Sequence, residues 1–330
     1  MRRILVTGGS GFVGQWLTRA LLAAGDEVTV TGLGDWATGR PGGSEAKNER
    51  IGEPRRVLVD MRDAAQVEQA IDETKPEAIV HLAGISFPPD AERSPAATYD
   101  VNVLGAVRLL AAVAARRRAG TIDPVILIVG SGAQYGRHPE SAMPLGETAV
   151  QLPLSIYAAS KSAQEVASLQ MHRESGVKVI CVRSFNHSGA GQTGDYVIPS
   201  LVARALRIRD GGEGTLRLGN DAVRDYLHVE DVIKAYVLLL ERGKAGEAYN
   251  VASGRGVSVR QLAADVLLRV GATADISTDV ALQRTTDIPM LIGSHDKLTN
   301  DTGWTPRKTH LDIIDDVIRF ASPPANAATD

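Results

Sequence analysis

Apolar residues in this chain fall into short unbroken runs separated by longer stretches with helical spacing. Ile4, Leu5 and Val6 make a buried-strand pattern that leads directly into Thr7-Gly8-Gly9-Ser10-Gly11-Phe12-Val13-Gly14. Phe12, Val13, Trp16, Leu17 and Leu21 then recur at the interval of a helix face, and Gly25 supplies a stop. Further strands are expected at 27–31, 56–60, 78–84, 124–130 and 178–185, giving six in all. Between them lie a long alanine-rich helix over about 95–120, containing Asn102, and a helical segment that carries Tyr157 and Lys161. A wholly apolar run such as 124–130 is the kind of strand that a parallel sheet buries on both faces. The expected class is α/β, a Rossmann-type doubly wound parallel sheet.

After Asn186 the alternation loosens. Helices are expected at 199–209, from about 229, at 258–270 and at 311–320, with short strands at 215–218 and 249–252. The chain therefore divides into a dinucleotide-binding domain over 1–185 and, over 186–330, a smaller α/β lobe that mainly covers the substrate. The tail beyond Ser322 is small and polar and is expected to fray.

The glycine-rich turn supplies the first chemistry. Gly8, Gly11 and Gly14 let the backbone approach a diphosphate closely, while free N–H groups at Phe12 and Val13 and the positive end of the helix face the anion. A dinucleotide is the natural occupant. At its far end Asp60 could accept from the adenine amino group, or it could cap the helix that begins after Asp63; Met61 is placed with it on the cofactor side, and Leu82 and Ala83 could line the dinucleotide. The end of the second strand, which selects the cofactor, carries Gly32 with Asp35 and Arg40 further on, so NADP(H) is favoured and NAD(H) remains open. His81 reads as a satisfied core histidine.

Composition narrows the partners. A net charge of −3 over 330 residues and 44% hydrophobic content describe a globular chain with no electrostatic reason to bind nucleic acid or an anionic membrane. Arg116, Arg117 and Arg118 read as a solvated helix end, favourable to the dipole. Cys181, the only cysteine, sits in an apolar run and reads as a core thiol. No run approaches transmembrane length and no signal peptide precedes the first strand, so a cytoplasmic location is expected. No metal is assigned.

Tyr157 and Lys161 stand four apart on one helix face, where the ammonium is expected to lower the phenol pKa, and Ser131 at the end of the fifth strand could bond the same substrate oxygen. Together with the glycine turn, Asp60, His81-Leu82-Ala83-Gly84, Asn102 and Tyr135-Gly136, this set resembles the extended short-chain dehydrogenase/reductases that act on nucleotide sugars. The stretches 183–192 and 224–231, with Asp287-Ile288-Pro289 and Gly303-Trp304, resemble the GDP-4-keto-6-deoxy-mannose reductases within that group. The resemblance implies Ser131, Tyr157 and Lys161 as catalytic residues, Tyr157 and Lys161 also touching the cofactor, and Ser86, Ser131, Asn186, Arg224 and Arg284 as substrate ligands. Arg224 could instead form a surface ion pair with Asp225 or Glu230. Where 4,6-dehydratases of the group place an acid after the catalytic hydroxyl, this chain has Gly132 and Ala133, neither able to move a proton.

The implied activity is NAD(P)H-dependent reduction of the C4 ketone of a nucleotide-linked 4-keto-6-deoxyhexose. A sugar-nucleotide 4-epimerase holding NAD tightly is the alternative, ahead of a 4,6-dehydratase or a non-catalytic dinucleotide sensor. A homodimer is implied through the helix bearing Tyr157, with Ala163, Val166 and Leu169 compatible.

Overall fold

The computed structural model describes residues 1–34, 52–212, 214–283 and 287–322. Asp35, Arg40, Arg284 and the tail from 323, all used in the sequence reading, lie outside the described residues. The first half runs β1 (Arg3–Thr7), α1 (Phe12–Ala23), β2 (Glu27–Gly32), β3 (Arg55–Leu58), α2 (Ala64–Thr74), β4 (Ala78–His81), α3 (Pro88–Arg93), α4 (Pro95–Tyr99), α5 (Gly105–Arg118), β5 (Val125–Ser131), α6 (Ile156–Ser175) and β6 (Lys178–Ser184). The second half runs β7 (Asn186–Ser188), α7 (Val197–Arg209), β8 (Thr215–Leu218), β9 (Val223–His228), α8 (Val229–Arg242), β10 (Ala248–Val251), β11 (Gly256–Ser258), α9 (Val259–Val270), β12 (Asp275–Thr278), β13 (Met290–Leu291), α10 (Asp296–Thr302) and α11 (His310–Ala321).

The main sheet has the order β10-β6-β5-β4-β1-β2-β3, with every neighbouring pair parallel. Its apolar runs are continuous because alternate residues face two different cores. Ile4, Val6, Val80, Leu127, Ile180 and Val182 pack with Leu17 and Leu21 of α1 and Val232, Tyr236 and Leu239 of α8. Leu5, Ile79, Ile126, Ile128, Val179 and Cys181 pack with Val67 and Ile71 of α2 and Leu109, Leu110 and Val113 of α5. The chain winds outward from β1 to β3, then crosses back to β4, so a crevice opens between the C-terminal ends of β1 and β4.

Two expectations change here. The sheet holds a seventh strand, β10, which pairs with β6 from Ala248↔Cys181 to Val251↔Ser184. Together with α8, it returns to the main sheet after residue 185, so the boundary expected there is crossed twice and the two parts interleave. The physical reason is that α1 and the edge of β6 still have an apolar face and an unpaired ladder to cover. The remaining elements do form a separate lobe, in which α7, α9 and α11 bury Leu201, Val202, Leu262, Val266, Ile313 and Ile314. A small sheet, β11-β9-β13 with β7 on β9, joins the two parts.

The second change concerns Pro95–Arg118, a near-continuous helix that is long and apolar enough to cross a membrane by length and composition, contrary to the sequence reading. Its inner face is part of the core, and its last turn carries Arg116, Arg117 and Arg118. A π turn over Asp100–Leu104 interrupts it. There Asn102, fully buried, accepts from Ile85 N at 2.7 Å and donates to Ile85 O at 3.1 Å and Ser160 Oγ at 2.9 Å, which fixes the loop after β4 against α6.

A fragment ending at Phe185 should show no cooperative thermal or denaturant transition, because it leaves α1 and β6 without α8 and β10. Circular dichroism through a urea titration is the check, and a stable, cooperatively unfolding fragment is the contrary result.

Candidate active site

Each glycine of the first turn has its own reason. Gly8 has φ +71°, and a Cβ there would lie 2.7 Å from Ala83 N, so the turn and the loop after β4 touch backbone to backbone. A Cβ at Gly14 would meet Gly8 O at 2.6 Å, and one at Gly9 would meet Val30 Cβ at 2.5 Å. Gly11 differs: its φ is −72°, and the nearest atom to a Cβ there would be Gly8 O at 3.4 Å, so neither backbone nor packing demands glycine. It caps α1 without any side-chain acceptor, which leaves the first-turn N–H groups, including those of Phe12 and Val13, available to an anion. The cradle thus fits a dinucleotide diphosphate.

Around it, Leu82 N bonds Thr7 O at 3.1 Å and Ala83 N bonds Thr7 Oγ1 at 3.3 Å, placing both residues on the crevice wall. Thr7 Oγ1 also holds His81 Nδ1 at 2.8 Å; burial pushes the His81 pKa down to about 3, so it is a neutral core histidine. Met61 turns its side chain into the core and offers a ligand only its main chain, whose carbonyl accepts from Arg108 Nη1 at 3.3 Å. Asp60 lies two residues past the end of β3 and is gripped by Arg62, with Nη2 at 2.6 Å, which holds its carboxyl below the usual range. It is not the helix cap: Asp63 accepts from Ala65 N at 2.9 Å and Gln66 N at 3.2 Å at the start of α2.

Ser131 ends β5, opposite Ser184 of β6. Its Oγ accepts from Ala133 N at 3.2 Å and lies near the Tyr157 phenol, whose pKa it draws down. Lys161, one turn after Tyr157 on α6, sends Nζ to Val129 O at 2.9 Å and Gln164 Oε1 at 3.0 Å. Burial brings its pKa down to about 8. The structure corrects one sequence expectation here. The phenol of Tyr157 lies above its ordinary value because burial outweighs the opposing influence of the Ser131 side chain, and Lys161 is committed elsewhere. A Cβ built at Gly132 would lie 3.0 Å from the ring of Phe185, so a side chain there would require that ring to give by a few tenths of an ångström.

The other expected ligands gather less tightly. Ser86 is exposed in the loop after β4. Asn186 is exposed at the start of β7, in register with Tyr226 of β9 and near enough to its phenol to draw the pKa down. Arg224, two residues earlier on β9, pairs with Asp287 at 2.5 Å rather than with Asp225 or Glu230. Asp225 is buried under Ser253 N and Oγ and Gly254 N, and Glu230 pairs with Lys308 at 3.0 Å. Leu169 packs into the core, whereas Val166 stays exposed.

Sequence reasoning missed the polar cluster next to Ser131. Glu165 and Arg183, each 7% exposed by side chain, pair at 2.6 Å, and Gln134, Gln151 and Tyr135 complete the cluster. The signals were Glu165 continuing the spacing of Tyr157 and Lys161, and an arginine within an otherwise apolar strand. A further neighbour of Tyr157 is Tyr196, at the cap of α7, whose ring meets that of Phe87 edge-on at 5.8 Å.

Comparison with known proteins identifies the family. The family model described as GDP-mannose 4,6 dehydratase matches residues 5–317. The chain belongs to that family. It is therefore an NAD(P)-dependent enzyme of the extended short-chain dehydrogenase/reductase group. Among relatives, the GDP-6-deoxy-D-mannose reductase of Pseudomonas aeruginosa is 35% identical over 93% of each chain. The UDP-glucose 4-epimerase of Corynebacterium glutamicum is 31% identical over 97% of this chain and 96% of that one. RMD from Pseudomonas aeruginosa, solved in complex with NADPH, superposes with a TM-score of 0.81 at 32% identity, covering 97% of this chain and 98% of the other. The UDP-glucose 4-epimerase of Thermus thermophilus, solved with NAD, gives 0.82 at 29% identity over 98% and 100%.

The family's glycine turn yields a paired expectation. Gly11→Ala should cost only about 1 kcal/mol, the ordinary penalty of alanine at an N-cap, yet weaken dinucleotide binding roughly tenfold. Gly14→Ala should lose about 2 kcal/mol or more, since backbone must move. Thermal melts and NADPH fluorescence titrations of the two variants are the check.

Proposed function

We propose that the enzyme reduces the C4 ketone of a nucleotide-linked 4-keto-6-deoxyhexose, with GDP-4-keto-6-deoxy-mannose as first choice and NADPH preferred to NADH. The observation that carries this reading is the side chain of Ser131 standing close enough to the Tyr157 phenol to perturb it, at a strand end where positions 132 and 133 bear no acid. Such a site can deliver one proton to a carbonyl oxygen but cannot take the C5 proton and expel water.

Burial keeps the Tyr157 phenol protonated at neutral pH, which suits a proton donor in the reductive direction. Tyr157 gives its proton to the C4 oxygen, and the Ser131 hydroxyl hydrogen-bonds the same oxygen as negative charge develops. A nicotinamide cofactor, when bound, would supply the hydride. Lys161, fixed by Val129 O and Gln164 Oε1, keeps a donor for the cofactor ribose. Arg224, pre-held by Asp287, and Asn186 beside Tyr226 both belong to the small sheet and would take the nucleotide diphosphate. The 35% identity to a GDP-6-deoxy-D-mannose reductase supports the guanosine form. The choice of NADPH is supported by β2 ending at Gly32 with no carboxylate in residues 32–34, and by the NADPH complex of RMD.

A cytoplasmic homodimer completes the proposal, with exposed Tyr99, Leu104 and Val166 on α4 to α6 as its apolar contact. The second reading, a 4-epimerase, is favoured by the 31% identity to a UDP-glucose 4-epimerase. It requires purified protein that carries NAD and interconverts a sugar nucleotide with nothing added.

The deciding assay is NADPH and NADH oxidation, followed by absorbance, with GDP-4-keto-6-deoxy-mannose against its dTDP counterpart. Tyr157→Phe should cut kcat by roughly 10² to 10⁴ while NADPH still binds; undiminished turnover removes Tyr157 from the mechanism. In the free enzyme Lys161 loses its proton as pH rises through about 8, so kcat/KM should fall above that point, whereas a flat alkaline profile argues against a charged lysine.

A further inference from the structure

Next to Ser131 the chain buries an unusual amount of polarity. Gln134, with no exposed surface, lies in the single turn Gly132–Tyr135 that follows β5. Its Oε1 accepts from Ser131 N at 2.7 Å, and its Nε2 donates to Glu165 Oε2 at 2.9 Å and Gln151 Oε1 at 3.2 Å. Glu165 is held in turn by Arg183 Nη2 at 2.6 Å and Nε at 2.9 Å, and by Gln151 Nε2 at 2.7 Å. Arg183 Nη1 continues to Tyr135 Oη and to Glu147 O, both at 2.8 Å.

Two features tie this cluster to Gln134 in particular. A Cβ at Gly130 would lie 2.3 Å from Gln134 Oε1, so the glycine before Ser131 leaves the space that the amide fills. The second is chemical. Ser131 N can only donate, and the ionised Glu165, paired with Arg183, can only accept. A group between them must accept at one end and donate at the other, which an amide does and neither an apolar side chain nor a carboxylate can. Glu165 lies one turn beyond Lys161 and two beyond Tyr157 on α6, so the amide spans from the strand end carrying Ser131 to the helix carrying the other two.

We infer that Gln134, anchored by Glu165, is a positioning residue that ties the main chain of Ser131 to α6 and so fixes where the Ser131 hydroxyl meets Tyr157. This rests on the proposed roles of Ser131 and Tyr157 as the pair that meets the ketone. Gln134 touches no reacting atom and acts through Ser131. A protonated carboxyl could replace the amide, because it too accepts and donates.

The test uses the full-length chain with Gln134→Met and Gln134→Glu, and two readouts. The first needs no substrate: the carbon-13 resonance of Tyr157 Cζ at neutral pH, assigned with Tyr157→Phe, reports hydrogen bonding to the phenol. It should move in Gln134→Met towards the position seen in Ser131→Ala. The second is kinetic: kcat should fall roughly tenfold or more in Gln134→Met, with KM for the ketone and Kd for NADPH within about twofold of the parent. Gln134→Glu should be as impaired at about pH 8 and recover relative to the parent towards about pH 6, as the two adjacent carboxylates share a proton. A Tyr157 resonance unchanged in Gln134→Met, or a Gln134→Glu deficit that does not shrink with falling pH, overturns the inference. If the parent reduces no 4-keto sugar, the functional reading fails while the resonance still decides the role of Gln134. Should Gln134→Met not fold, the near-isosteric Gln134→Glu carries the resonance test across the same pH range.

Discussion

Arg183 places a permanent cation inside a buried strand, and much of the active end of the sheet is arranged to satisfy it. Its guanidinium binds Glu165 of α6, the Tyr135 hydroxyl and the carbonyl of Glu147, and lies 5.0 Å over the Tyr135 ring. Removing one partner of such a buried pair costs about 3–5 kcal/mol, because the other charge is left without water. The cluster reaches further than the pair. Tyr135 donates to Asn250 Oδ1 at 2.7 Å, Asn250 Nδ2 to Leu145 O at 2.9 Å, and Glu147 accepts from Asn250 N at 2.8 Å. The strand end with Ser131, the helix with Tyr157 and the late strand β10 are therefore held by one set of polar contacts.

The dinucleotide cradle works by a different constraint, the lack of side chains. Gly8, Gly9 and Gly14 are needed because other backbone or side-chain atoms occupy the space a Cβ would take. Gly11 alone has no such neighbour, and the open face it leaves is the one that its uncapped helix end presents. Packing and ligand binding thus use the same residue type in one turn for separate physical reasons.

Interleaving couples the parts. Because α8 and β10 return to the main sheet, the small sheet bearing Asn186 and Arg224 is flanked on both sides in the chain by segments of the larger core. Arg224 is ordered by Asp287 before any ligand arrives, which lowers the conformational entropy to be lost on binding a phosphate.

The sequence by itself determined the class of fold, the six first strands, the glycine turn, Ser131 at a strand end and Tyr157 and Lys161 one turn apart on a helix. These depend on local periodicity and on spacings of a few residues, which one helix turn or one strand end converts directly into geometry. Only the tertiary structure decided that β10 completes the sheet, that Asp63 rather than Asp60 caps α2, that Arg224 pairs with Asp287, and that a π turn sets Asn102 against Ile85. It also raised rather than lowered the Tyr157 phenol, because burial depends on everything packed around the ring and not on the lysine one turn away. Each of these joins groups far apart in the chain or turns on solvent exclusion, and neither is written in the order of neighbouring residues.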